Sequence, residues 1–416
     1  MYSFSKNLSL TLLLILSVAT LAVCSLAQPP ANKVSEWNAI GSVAAANAGR
    51  GPTTFIDLAY MHVAIYDGVA AIEGKYEPFA SRPLVSGPAS KESATAAAAY
   101  TVLKTLYPSQ QSFLDQKYAE SLAQIQDGAA KLSGIEVGIE AGTYFMAVRA
   151  GDGRNASVSY VPGTGPGVWV PTPPANLPAA FPWMARMRPF AIESPSQFRG
   201  EGPPSLNSSQ YAEDYNEVKR LGGVNSSDRT AEQTEAGLFY VEGAAGQTAR
   251  AIRRLTGERG LDTADAARLY AMIYVSISDS MITTWESKYH FSFWRPVTAI
   301  RAGDSDGNAD TAPDPTWTPL AATPNFPEYV SAHSSVAGSF SEAVSSFFGT
   351  KKVRVTLDST VTGTSRTFEN TDDIAKDVAD ARVYAGFHFR TACVHGTVIG
   401  RKVGRWVAKN YFRRIG

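Results

Sequence analysis

Apolar residues in this chain return every three or four positions in segment after segment, and they almost never alternate. That period belongs to helices with one buried face rather than to strands. Pro52 opens a long stretch in which Phe55, Leu58, Ala59, His62, Val63, Tyr66 and Val69 share one side. Lys91 to Leu106 is alanine-rich, and 109–126 puts Phe113, Leu114, Tyr118 and Leu122 on one side. The same style continues over 135–148, resumes near Gln210 and Glu232, and predicts a long helix from Asp262 to Tyr289. Two further helices are expected, Thr371 to Ala385 and Ala392 to Phe412. The exception is V-R-V-T-L-D-S-T-V-T-G-T-S-R-T-F, Val353 to Phe368, which alternates around Thr-Gly and predicts one β-hairpin. The expected fold class is therefore mainly α: a large helical bundle with one small β-hairpin.

The texture breaks over 151–206, where Gly and Pro dominate (G-T-G-P-G-V-W-V-P-T-P-P). This stretch carries Trp169, Phe181, Trp183 and Met184, which do not belong in a solvated tether, so it reads as a long irregular excursion of one domain. No internal repeat has a fixed period. At the N-terminus, Lys6 and the run L-S-L-T-L-L-L-I-L-S-V-A-T-L-A-V-C precede S-L-A and Gln28. This is the pattern of a signal peptide over 1–27 with a single domain over 28–416, and it predicts a secreted or periplasmic protein. L-A-V-C also resembles a lipoprotein box at Cys24, but Val23 is a poor residue before the cysteine. Cleavage after Ala27 leaves Cys393 as the only cysteine, so no disulfide is expected.

Lys and Arg number 38 and Asp and Glu number 38, so no global field favours nucleic acid. Beyond the signal no apolar run approaches the ~20 residues of a membrane span, and no transmembrane helix is expected in the mature chain. Oligomeric state leaves no trace in the sequence.

Three short elements concentrate cations late in the chain, within 262–412. The first is K-Y-H-F-S-F-W-R-P, with Lys288 and Arg295 among aromatic rings where the long helix ends near Pro296. The second is P-N-F-P-E-Y-V-S-A-H. Pro324 and Pro327 exclude helix before Tyr329, while Val336, Phe340, Val344 and Phe347 follow at helical spacing. Ser331, Ala332 and His333 therefore fall at a helix N-terminus, where free amides and the dipole favour anions. The third is D-A-R-V-Y-A-G-F-H-F-R-T-A-C, in which Thr371 caps a helix, Arg382 comes late in it, and Gly386 breaks it before His388. Each element has an ordinary reading alone: snorkelling cations, a Ser cap with a surface histidine, an arginine near a helix end. Together they supply the charges and donors to grip one tetrahedral oxyanion.

The spacing K-x6-R-P, S-x-H and R-x5-H resembles the signature shared by vanadium-dependent haloperoxidases and the type 2 phosphatidic acid phosphatase superfamily. The resemblance implies a helical bundle of the vanadium haloperoxidase and acid phosphatase type. It places Lys288, Arg295, Ser331, Ala332 and Arg382 around the anion, His388 as the axial vanadium ligand or phosphorus nucleophile, and His333 as general acid and base. Lys288 is implied to polarise peroxide. Trp285 and Phe326 match the aromatic halide pocket, and Asp279 is in step with the haloperoxidase branch. In a peroxidase the cofactor is vanadate and the partners are hydrogen peroxide and halide, giving a hypohalous equivalent. In a secreted acid or phospholipid phosphatase the partner is a phosphomonoester, the intermediate a phosphohistidine, and no cofactor is needed. A non-catalytic oxyanion-binding protein is the third possibility. Halide preference and the organic substrate are not legible.

Three positions depart from the pattern. Val330 and Ala332 stand where proline and glycine are usual, and Ala392 stands where an aspartate usually follows the third-motif histidine by four residues. A substitute carboxylate, or His395, would have to come from elsewhere. Of the remaining candidates, His62 is expected in the core, His290 in the pocket or facing out, and Cys393 as a small buried hydrophobe. The C-terminal R-K-V-G-R-W-V-A-K-N-Y-F-R-R reads as a solvated basic face. D-S-D-G-N-A-D-T-A-P-D, 304–314, resembles a calcium loop without its closing glutamate.

Overall fold

In the computed structural model, which describes residues 32–415, helix boundaries follow local chemistry. Asn32 caps α1 (Lys33–Asn47), and a 3-10 turn with Pro52 leads into α2 (Thr54–Glu73), which Gly74 ends in the left-handed region at φ 70°. Ser90 caps α3 (Lys91–Leu106), and α4 (Gln111–Ala123) and α5 (Ala129–Val148) follow. Next come α6 (Ser209–Gly222), α7 (Ala231–Phe239) with a full capping box from Thr230 and Gln233, and α8 (Ala244–Glu258). The longest helix is α9 (Thr263–Phe291), followed by the short α10 (Pro296–Arg301) and by α11 (Ala332–Phe348). Strands β1 (Val355–Asp358) and β2 (Ser365–Phe368) pair antiparallel, with Val355 opposite Phe368 and Asp358 opposite Ser365. Helices α12 (Thr371–Tyr384) and α13 (Arg390–Asn410) complete the described chain. The fold is mainly α, with one hairpin among the described residues.

The apolar core runs without interruption from Val34 to Phe412. Helix α9 crosses its centre and packs against α2, α11 and α13. Helices α11 and α13 approach closely because Gly396, Gly400 and Gly404 lie on one face of α13, against the backbone of α11. His62 is fully buried in α2, with its Nε2 3.0 Å from Asn38 Nδ2 and its ring stacked on Tyr274. Burial alone pushes its imidazole down to about 3.

The 151–206 excursion is fastened to the bundle. Trp169, Met184 and Met187 are fully buried, and a 3-10 turn spans Pro182–Arg186. Asp279, buried in α9, accepts the backbone N–H groups of Phe190 (2.6 Å), Ala191 (2.7 Å) and Ile192 (2.9 Å). Arg149 donates to the carbonyls of Pro189 at 2.7 Å and Arg188 at 2.6 Å.

Several expectations are corrected. Asn370, not Thr371, caps α12, and its side chain accepts the N–H of Asp372. The long helix expected from Asp262 to Tyr289 is α9, which Ser292 ends in the left-handed region; the short α10, capped by Arg295, was not expected. Helix α8 has no counterpart in the sequence reading. The stretch Gly51–Glu73 is long and apolar enough to cross a bilayer, yet 89% of its most apolar window is packed inside the protein, as befits a core helix. At 304–314, Asp306 accepts Thr311 Oγ1 and the N–H of Asn308, closing a loop on itself. No group of three or more potential metal-ligating side chains occurs among the described residues. The expected signal peptide over 1–27, Cys24 included, lies outside the described residues.

Candidate active site

Four elements converge: the end of α9, the start of α10, the N-terminus of α11, and the turn between α12 and α13. Lys288 lies in the last turn of α9 and is fully buried. Its ammonium donates to the carbonyls of Pro327 (2.9 Å), Glu328 (2.9 Å) and Val330 (2.6 Å), and it lies 5.1 Å from the Phe326 ring centre. All three of its protons are thereby engaged, so it holds the 327–330 segment in place.

Arg295 is also fully buried. Its Nε donates to Phe326 O (2.9 Å) and its Nη1 to Phe387 O (2.9 Å), with Nη1 also 3.2 Å from His388 Nε2. Its Nη2 finds no partner among the described residues. Arg382, late in α12, donates from Nη1 to Tyr240 O (2.9 Å) and stacks on Phe387, while its Nε is likewise unpaired among the described residues. The turn that follows Arg382 needs Gly386. Its φ is 77°, and a Cβ there would sit 2.5 Å from Gly222 O and 2.8 Å from Pro319 Cβ. By breaking α12 at this point it returns the chain so that His388 comes back to the cluster.

Ser331 caps α11 as expected, accepting from Ser334 N and, at 3.0 Å, from Ser334 Oγ. The amides of Ala332 and His333 stand at the helix N-terminus, where geometry leaves them without intrahelical acceptors. His333 keeps part of its ring open to a cavity, and its Nε2 has no partner among the described residues. Burial, with Arg382 next in effect, holds its imidazole well below the usual range.

His388 is bounded on both nitrogens. Arg295 can only donate, so Nε2 is the acceptor and carries the lone pair. Nδ1 therefore carries the proton and donates to Glu328 Oε1 at 2.8 Å. Burial, reinforced by Arg295, Lys288 and Arg382, holds the imidazole far down and thus neutral. Burial also pushes the Glu328 carboxyl up to about 8 against the opposing pull of Arg295 and Lys288.

The charge balance says what the cluster is for. Burial depresses Lys288 well below its ordinary value, Arg295 to about 10 and Arg382 to about 9. Lys288, Arg295 and Arg382 make no ion pair among the described residues, and the nearby Glu328 carboxyl is engaged by His388, so the cluster lacks negative charge. An anion with several oxygens would supply it. The unpaired Arg295 Nη2 and Arg382 Nε, with the Ser331 hydroxyl and the first amides of α11, are donors that fit a tetrahedral oxyanion such as vanadate or phosphate, and the His333 Nε2, donor or acceptor by tautomer, lies without a partner among the described residues.

The aromatic pair expected at a halide pocket lies beside this cluster. Trp285 and Phe326 have ring centres 5.1 Å apart. Both line an almost wholly apolar cavity of about 190 Å³, with Phe55, Met281, Val336 and His333. Ala332 lines it too. A larger open groove of about 620 Å³ near Glu213, Lys219 and Trp317 contains none of the cluster residues.

Other candidates lie apart. His290 is exposed and pairs with Arg199. His395 Nδ1 bonds the Tyr329 hydroxyl at 2.6 Å, not His388. Cys393 is buried and free, and burial pushes its thiol up to about 12. Glu328 went unnoticed in the sequence. The signal was a lone acid in the apolar stretch P-E-Y-V just before Ser331.

A family model described as the VCPO second helical-bundle domain matches residues 268–416, which takes in every member of the cluster. The vanadium chloroperoxidase of Curvularia inaequalis is 27% identical over a 227-residue alignment covering 44% of this chain. That alignment spans only 36% of the chloroperoxidase's own length. Among solved structures, a bacterial vanadium-dependent iodoperoxidase superposes with a TM-score of 0.79 at 23% identity, covering 92% of this chain and 97% of that one. A holo-type bacterial vanadium-dependent chloroperoxidase reaches 0.69 at 16% identity, covering 92% and 96%. These structural likenesses establish the fold.

Proposed function

Because the chain belongs to the superfamily that joins vanadium-dependent haloperoxidases and type 2 phosphatidic acid phosphatases, we propose that it is a vanadate-dependent haloperoxidase. It would use hydrogen peroxide to oxidise halide to a hypohalous equivalent. The observation that carries this reading is the state of His388: buried, neutral, its Nδ1–H on Glu328 and its Nε2 lone pair facing the Arg295 guanidinium.

Bound vanadate would supply the Lewis acid that activates peroxide toward halide. Its fit rests on the unpaired donors. His388 Nε2 would be its protein ligand, and Arg295, Arg382, Ser331 and the Ala332 amide would hold its oxygens. His333, which lines the cavity and whose Nε2 has no partner among the described residues, would take and return a proton. Trp285 and Phe326 would exclude water from the halide's approach. Lys288 acts here through charge and by holding the 327–330 segment; direct contact with peroxide would require it to release one of its three carbonyls. The signal-like segment 1–27 supports export to a secreted or periplasmic location.

A second reading, phosphomonoester hydrolysis through a phosphohistidine, is favoured by one observation: the Nδ1–H of His388 rests on a carboxylate, as a nucleophilic imidazole requires. Both activities are to be assayed on one preparation, with and without vanadate. The proposal expects halide- and peroxide-dependent halogenation of a phenol-type dye after vanadate loading, lost in His388→Ala. Phosphomonoester hydrolysis without vanadate, inhibited by it, would establish the second reading instead. Vanadate binding with neither turnover would leave a non-catalytic oxyanion-binding protein.

A further inference from the structure

The family pattern supplies an aspartate four residues after the third-motif histidine, but here that position is Ala392, buried in the first turn of α13. A buried imidazole whose Nδ1–H has no acceptor leaves a donor unsatisfied and its ring orientation unfixed. We infer that Glu328 is the positioning residue of this site, its carboxylate taking over on His388 Nδ1 from a segment sixty residues away in the chain. The inference rests on the oxyanion-site reading above and assigns to it a residue outside the family pattern.

The geometry leaves Glu328 without a rival. Its Oε1 accepts both His388 Nδ1 at 2.8 Å and the N–H of Phe389 at 3.1 Å, so one oxygen fixes the ring and the chain that carries it. His395 is turned to Tyr329. Asp214, another buried acid nearby, is engaged by Thr391 N at 3.1 Å and by Gln210. The relocation also changes what the carboxylate depends on. Glu328 belongs to the segment 326–330, whose carbonyls hold the Lys288 ammonium and Arg295 Nε. Two of the site's cations thus brace the loop that aims its histidine. A carboxylate on α13 would not be coupled to them in this way.

Vanadate affinity, measured by titration calorimetry, tests this in a double-mutant cycle. Glu328→Ala is expected to weaken vanadate binding by about 10- to 100-fold, the usual cost of losing a partner that orients a metal-bound histidine. Glu328→Gln, which keeps an acceptor without the charge, is expected to lose less. In the His388→Ala background, Glu328→Ala is expected to cost less than about twofold, because its effect passes through the imidazole. If Glu328→Ala does not fold, the same cycle is run with Glu328→Gln. Unchanged affinity in the single variant overturns the inference, and so does an equal loss in both backgrounds. A wild type that binds no vanadate overturns the oxyanion reading itself and the inference with it.

Discussion

The packing of α11 on α13 makes Gly396→Ala an informative perturbation. A Cβ at Gly396 would lie 2.5 Å from Ser331 O and 3.3 Å from Ser334 Cβ. Ordinary contact begins at 3.4 Å, so the backbone must move by about 3.4 − 2.5 = 0.9 Å. There is little slack to absorb this. Ser331 is the N-cap of α11, and its own N–H is bonded to Ala392 O at 3.0 Å, one turn earlier on α13. The displacement therefore falls on the Ser331 hydroxyl and the first amides of α11, the groups proposed to hold the oxyanion. Overpacking of this kind costs about 1–3 kcal/mol, offset by up to about 1 kcal/mol of helix propensity. A shift near 1 Å in a reacting group costs about 100-fold in rate. Gly396→Ala should thus lose a few degrees of melting temperature by calorimetry but about two orders of magnitude in kcat/KM for halide oxidation. Gly68→Ala is the control. Its nearest neighbour would be Ala141 Cβ at 3.6 Å, so it should gain up to about 1 kcal/mol and leave activity unchanged. If Gly396→Ala keeps wild-type kcat/KM, the claim that this crossing positions Ser331 is wrong.

Asp279→Ala should cost at least about 3 kcal/mol, because three buried amides of the 190–192 segment lose their acceptor; chemical denaturation measures it. Arg295→Lys keeps the charge but loses the fork that reaches Phe326 O, Phe387 O and the site at once, so vanadate affinity by calorimetry should fall at least about tenfold. His62 is depressed to about 3 when folded, whereas an unfolded imidazole titrates near 6.5. Below about pH 6.5 the unfolded chain therefore takes up a proton that the folded one refuses, and stability falls as pH falls. Between pH 6 and pH 5 this amounts to about 1 kcal/mol, and His62→Gln should remove that part of the slope in denaturant titrations at the two pH values.

Where the sequence was legible, local rules decided. The alanine run from Lys91 to Leu106 marks α3, and Gly386 marks the break that brings His388 back toward Arg295. The fixed spacings around Lys288, Arg295, Ser331, Arg382 and His388 identified groups that do converge. What escaped depends on contacts between distant segments. Glu328 meets His388 across sixty residues, and the three carbonyls on Lys288 come from a loop that no periodicity describes. Asp279 stood out as in step with the haloperoxidase branch, but its part in holding the amides of the excursion depends on that segment folding onto it. Helix α8 was missed because R-A-I-R-R-L-T interleaves its buried residues, Ala251, Ile252 and Leu255, with arginines that read as surface.

A crystal structure of the vanadate-loaded protein bears most directly on the whole account. It should place the metal against His388 Nε2, with Arg295 Nη2, Arg382 Nε and the Ser331 hydroxyl at hydrogen-bonding distance from its oxygens. Vanadate bound at some other place, with these groups still turned toward each other, would contradict it.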